Sequence, residues 1–244
     1  MRNRCWASAL ADCDGPITAE HPISQAIFDR DMLTVRGPVW PADGHDLPLA
    51  TLAGQSLCEH HNGLLSPDDA AVGQFARTLR QLNAPDLQGS VEVSGWALER
   101  WCLKALVGIV ANGWHRSSAG HRITLDAAPE DLAAAAFGRS ALCGGRGLNI
   151  VTCSARIGIQ AEAVSWKVLV ANAEASVIVG FLVALPPLVL ALALEPGNIA
   201  ALLRQITLPQ IDEWSNVAAH HRPRRLELTA RESTSQITIN FDWR

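Results

Sequence analysis

The chain contains no tyrosine and only two methionines among its 244 residues, while tryptophan occurs eight times. Lysine and arginine total 20 against 24 acidic residues, so the formal net charge is −4 and the pI about 6.0. Nucleic-acid binders gain most of their affinity from basic side chains that neutralise phosphates. This balance argues mildly against DNA as a default partner, although an enzyme that touches phosphates at one site escapes the argument. There is no internal repeat, no low-complexity tract, no G-x-S-x-G elbow, no thiol-protease signature and no Rossmann fingerprint. Cys143–Gly147 (C-G-G-R-G) lacks the Lys-Ser/Thr of a P-loop and reads as a flexible turn.

Long apolar runs are also scarce. The opening M-R-N-R-C-W has none, so export is not expected and a cytoplasmic location is. In that setting the six cysteines, at 5, 13, 58, 102, 143 and 153, point to metal binding rather than disulfides. Cys102, Cys143 and Cys153 read as packed small apolar residues. Ser176–Leu194 is uncharged and of membrane-spanning length, but Pro186-Pro187 divides it and would break a helix. Val177, Ile178, Val179 and Val183 make it a strand, a Pro-Pro turn and a second strand, with no membrane role expected.

What is present is 48% hydrophobic and 18% charged residues, an ordinary globular balance. Ser66-Pro67-Asp68-Asp69 has the form of a helix start: a serine cap, proline in the first position and acids in the first turn. A helix is predicted over Pro67–Gln81, with Asp69 suited to a capping role. Asn83–Gly89 reads as a linker. A second helix is predicted over Gly95–Asn112, with Glu99 and Lys104 solvated or paired, and a short one over Pro129–Phe137. Strands are predicted at Leu148–Cys153, Ala155–Gln160, Val164–Asn172, Ser176–Leu185, Leu188–Leu194, Arg224–Thr229 and Gln236–Trp243, with another helix at Asn198–Gln205. Helices followed by strands, without βαβ alternation, predict an α+β fold with a mainly antiparallel sheet. A boundary is drawn at 84/85, between an N-terminal metal-binding domain (1–84) and an α+β domain (85–244).

The chemistry concentrates in the first 70 residues. Thiolates and imidazoles are the ligands zinc prefers, and structural sites take four of them, usually as two pairs. Cys58-x-x-His61 makes one tight pair. Cys5 and Cys13 make the other, with a longer loop between them. His60 competes with His61 for the ligand role, but its C-x-H spacing is strained. Glu20-His21 and His61-Asn62 bring acid, imidazole and amide groups nearby. The one basic cluster, His220 to Arg225, offers Arg222, Arg224 and Arg225 as a weak nucleic-acid contact.

Cys13-x-Gly15-x-Ile17-x-x-Glu20-His21-x-x-Ser24, followed by L-C-x-x-H-N-x-x-L-S-P-x-D (Leu57–Asp69), resembles the HNH superfamily of ββα-metal, treble-clef endonucleases over about residues 1–80. The resemblance implies a structural zinc ion and cleavage of DNA phosphodiesters with catalytic magnesium or manganese. His21 would be the general base, Glu20 a metal ligand and Asn62 the orienting residue. The chain departs from the pattern in having no histidine after Asn62 on the helix. Asp68 and Asp69 are the nearest metal-capable groups there. The alternative is a non-catalytic zinc-binding module whose C-terminal domain recognises a protein or small ligand.

Overall fold

The computed structural model describes residues 5–37, 40–82, 86–116, 122–123, 128–152, 164–170, 178–195, 218–229 and 235–244. The strand predicted at Ala155–Gln160, the helix at Asn198–Gln205 and Cys153 lie outside the described residues.

Two short segments open the fold. β1 (Ile17–Glu20) pairs antiparallel with β4 (Gly54–Cys58), placing Ile17 opposite Cys58 and Thr18 opposite Leu57. Between them β2 (Met32–Gly37) and β3 (Trp40–Pro48) form a hairpin of their own. β4 runs directly into α1 (Glu59–Gln81), so the order around the cysteines is strand, strand, helix.

α1 begins eight residues before the predicted start at Pro67. Cys58, in extended conformation, is its N-terminal flank. Ser66 and Pro67 lie inside the helix, where proline removes one backbone donor and the rest of the turn continues. The acids expected to cap it do something else. Asp68 and Asp69 point sideways at α2 (Gly95–Ala111): Asp68 takes a bidentate pair from Arg100 at 3.0 and 2.7 Å, and Asp69 accepts Lys104 Nζ at 2.8 Å. Lys104 is 1% exposed. The apolar side of α1 is Leu65, Val72, Phe75, Ala76 and Leu79, a helical spacing that faces the core.

α2 is the centre of the molecule. Its N-cap Ser94 accepts from the Ala97 amide, and almost every residue from Gly95 to Val110 is buried. It packs against α1, α3 (Glu130–Ala136), β4, β8, β10, β11 and β14. A helix apolar around most of its surface, with Glu99, Arg100 and Lys104 each in an ion pair, is enclosed in this way.

Before α2 comes β5 (Gln88–Ser94), whose first two residues fall in the predicted linker Asn83–Gly89; after it a short β6 (His115–Arg116) pairs with β7 (Arg122–Ile123). β8 (Gly147–Thr152), β9 (Ser165–Val170), β10 (Ile178–Leu185), β11 (Leu188–Ala193) and β12 (Ala218–His221) form an antiparallel sheet in the order β12-β8-β11-β10-β9. Pro186-Pro187 makes the turn between β10 and β11, with Leu185 opposite Leu188. The apolar run is thus a buried hairpin, and among the described residues no helix is long and apolar enough to cross a membrane. Finally β13 (Arg225–Thr229) and β14 (Gln236–Asp242) pair antiparallel, and β14 pairs in parallel with β5 from Gln236/Gln88 to Asp242/Ser94. The described residues therefore form an α+β fold with three α-helices and mainly antiparallel sheets. One hydrophobic cluster runs from Cys5 to Phe241, and α1 packs on α2 across the 84/85 position.

Candidate metal centre

Cys5, Cys13, Cys58 and His61 converge. Each offers one ligand atom, and the four atoms lie within 4.8 Å of one another. His61 Nδ1 stands 3.1 Å from Cys58 Sγ, 3.5 Å from Cys5 Sγ and 3.7 Å from Cys13 Sγ. Tetrahedral zinc with ordinary Zn–S and Zn–N bonds would separate nitrogen from sulfur by about 3.6 Å. The donor set therefore fits one ion at its centre.

Local structure explains the convergence. Cys58 ends β4 and flanks α1, and His61 follows in the first helical turn, so the x-x spacing turns the imidazole back toward the sulfur. The long Cys5–Cys13 interval is taken up by a 3₁₀ turn over Ser8–Leu10 that closes on Ala11 in the left-handed region, φ 59°. Backbone bonds anchor this arm: the Trp6 amide donates to Ser56 O, Ala128 N donates to Trp6 O, and His60 N donates to Asp14 O. The positive end of α1 favours negative sulfur at Cys58.

Of the four donors, Cys58 and His61 shift in the direction that ligation needs, and Cys5 and Cys13 shift the other way. Burial pushes the Cys5 thiol up to about 12 and also raises Cys13. Cys58 is likewise pushed upward by burial, but backbone amides at His61 and Asp14 and the neighbouring thiols bring it below the ordinary cysteine value. Burial lowers His61 against the pull of Asp12, keeping the imidazole neutral as ligation requires.

Around the ligands lies a supporting shell that the sequence reading missed. His61 Nε2 meets Asp12 Oδ1 at 3.0 Å, and Asp12 in turn pairs with Arg139, beyond the end of α3. A carboxylate on the far imidazole nitrogen fixes the tautomer that leaves Nδ1 bare. Phe137 packs its ring 4.7 Å from that of His61 and 5.4 Å from Trp6. An acid immediately before Cys13 was the available signal for Asp12; Arg139, 127 residues away, left none. His60 is exposed, lies 3.6 Å from Asp12 and takes no place in the four-donor group.

The expected catalytic residues are placed differently. Glu20 ends β1 and is 2% exposed. Its Oε1 accepts from Ser56 Oγ at 2.8 Å, and Ser56 Oγ accepts from Asn112 Nδ2 at 3.1 Å. Its carboxylate rests against Gly108 of α2, where a Cβ would stand 3.1 Å from Oε1 and 3.0 Å from Pro22 Cβ. Burial raises the Glu20 value, partly offset by Lys104. His21 is half-buried, with Nε2 2.9 Å from Gln25 Nε2, and burial lowers its value. Asn62 sits in the first turn of α1 and donates to Thr18 Oγ1 at 3.1 Å and Ala19 O at 3.3 Å, holding β1 to the helix. Among the described residues, no group of three metal-capable side chains includes Glu20, His21, Asp68 or Asp69.

The basic cluster also divides. Arg222 turns inward, donating to both oxygens of Glu99 at 2.9 and 2.8 Å with its guanidinium 4.6 Å from the Trp96 ring centroid. Arg225 pairs with Glu227 at 2.7 Å, and Arg224 is exposed. Of the three arginines expected as a nucleic-acid contact, Arg222 is committed to the interior because Glu99, itself 2% exposed, needs a counter-charge.

No family model matches this chain, no curated protein matches it, and no solved structure matches it.

Proposed function

We propose that residues 5–82 are a treble-clef-like module in which Cys5, Cys13, Cys58 and His61 hold a structural zinc ion. In this reading the module is a non-catalytic relative of the HNH nucleases, and the α+β body behind it recognises a protein or small ligand. The observation that carries the zinc is the convergence of three sulfurs and one bare imidazole nitrogen at zinc-like spacing. The observation that favours a structural role is Glu20. Its carboxylate ends a buried Asn112–Ser56 chain against α2, and Lys104, paired with Asp69, already supplies a cation beside it.

Elemental analysis of the purified protein tests the first half, with one zinc per chain expected. Incubation with linear and plasmid DNA in magnesium or manganese, beside His21→Ala, tests the second. No cleavage by either protein is the expected outcome. Cutting that His21→Ala abolishes would establish the rival nuclease reading. That reading draws on half-exposed His21 at the end of β1 and on Asn62, which ties that strand to α1.

A further inference from the structure

The four donors are unequally covered. Cys5, Cys58 and His61 are 4%, 2% and 0% exposed, whereas Cys13 is exposed. Its neighbours along the chain are held: Asp12 by His61 and Arg139, and Asp14 by the His60 amide. An exposed cysteine is thus held in place with its Sγ within 4.8 Å of two buried sulfurs. Cys102 is fully covered, and exposed Cys143 belongs to no metal-capable group among the described residues.

We propose that Cys13 is a thiol-oxidation site through which a peroxide opens the metal centre and releases its ion. The inference rests on the zinc reading above and concerns the regulation of that same site. Hydrogen peroxide is the oxidant. The Cys13 thiolate attacks one peroxide oxygen, an S–O bond forms, the O–O bond breaks, and hydroxide leaves. The thiolate of Cys5 or Cys58 then attacks the resulting sulfenic sulfur, an S–S bond forms, and a second hydroxide leaves. Two thiolates give up two electrons to one peroxide, and the products are one disulfide and two hydroxides. Two ligands remain, too few for a closed tetrahedral zinc site. A dithiol reductant returns both sulfurs and allows zinc to rebind.

The test uses the full chain carrying Cys143→Ser, which silences the other exposed thiol of the described residues. Zinc is measured first. Absence of zinc overturns both the module and its oxidation. With one zinc bound, hydrogen peroxide is added and release is followed with a chromophoric chelator, then the cysteines are mapped by peptide mass spectrometry. The expected result is loss of the zinc together with a disulfide joining Cys13 to Cys5 or Cys58, reversed by dithiothreitol plus zinc. Zinc retained under peroxide, or lost without Cys13 in a disulfide, overturns the inference and leaves the zinc reading standing. Cys13→His adds a kinetic arm, because it keeps a ligand and removes the oxidisable sulfur. Release should slow at least about tenfold. Unchanged release from that variant also overturns the proposal. If the variant binds no zinc, the peptide map decides.

Discussion

Asp12 and Glu20 show how differently two acids can serve one small region. Asp12 acts outward from the metal centre, on the far nitrogen of His61. Its removal in Asp12→Ala should lower zinc affinity about 10–100-fold, read by competition with a chelator, because the ligand stays but its tautomer is no longer held. Glu20 acts inward, and its titration has a definite sign. Its folded-state value is raised above the ordinary 4.5 by burial. The stability it contributes is therefore present below that value and is lost as pH rises toward the folded-state value. Glu20→Gln removes this loss. The melting temperature of the variant minus that of the parent should grow as pH is raised from 5 to 8, and a flat difference would refute the assignment. The four-donor group was legible in part: C-x-x-H favoured His61 over His60, while the long Cys5–Cys13 interval is not a usual ligand-pair spacing. The roles of Glu20 and Asp12 were not, since both depend on residues more than thirty positions away.

The pairing of α1 with α2 belongs to the next scale. Two ion pairs, Asp68–Arg100 and Asp69–Lys104, cross the interface, and both acids had the look of a helix start. Local capping chemistry and long-range pairing call for the same residue types, so the sequence pattern around Ser66-Pro67 was ambiguous in a physical sense. The boundaries of α2 and the β10–β11 hairpin were legible, because a long helix with a broad apolar side and a Pro-Pro turn permit few alternatives. β5 was not, because an exposed edge strand needs little apolar patterning and only Val91 and Val93 alternate. Glu99 is the keystone of the opposite side of α2. It takes Arg222 in two bonds and the Leu148 amide at 2.8 Å. Gly147, at φ 134°, makes room there, since a Cβ would stand 2.8 Å from Arg222 Nη2. Glu99→Ala leaves a guanidinium and an amide without their acceptor, and urea denaturation should report a loss of about 3–5 kcal/mol. Cys102, one turn away and wholly buried, should tolerate Ala at a much smaller cost.

At the scale of the whole molecule, the candidate metal centre and the C-terminal strands share one core. Trp6, between the first ligand and the 3₁₀ turn, is completely buried, and Phe241 lies in the same cluster. Stripping zinc with a strong chelator should lower the melting temperature of the entire chain by roughly 10 °C or more, read by calorimetry. A thermogram in which only a minor early transition moves would show that the N-terminal module folds apart from the rest.

The parallel union of β5 with β14 joins residues 88–94 to 236–242. During synthesis β5 has left the ribosome long before its partner exists. All four members of the candidate donor group, by contrast, have been translated by position 61. The donor set is therefore complete in a nascent chain whose β14 has not yet been made, and closure of that sheet must wait until residues 236–242 have emerged.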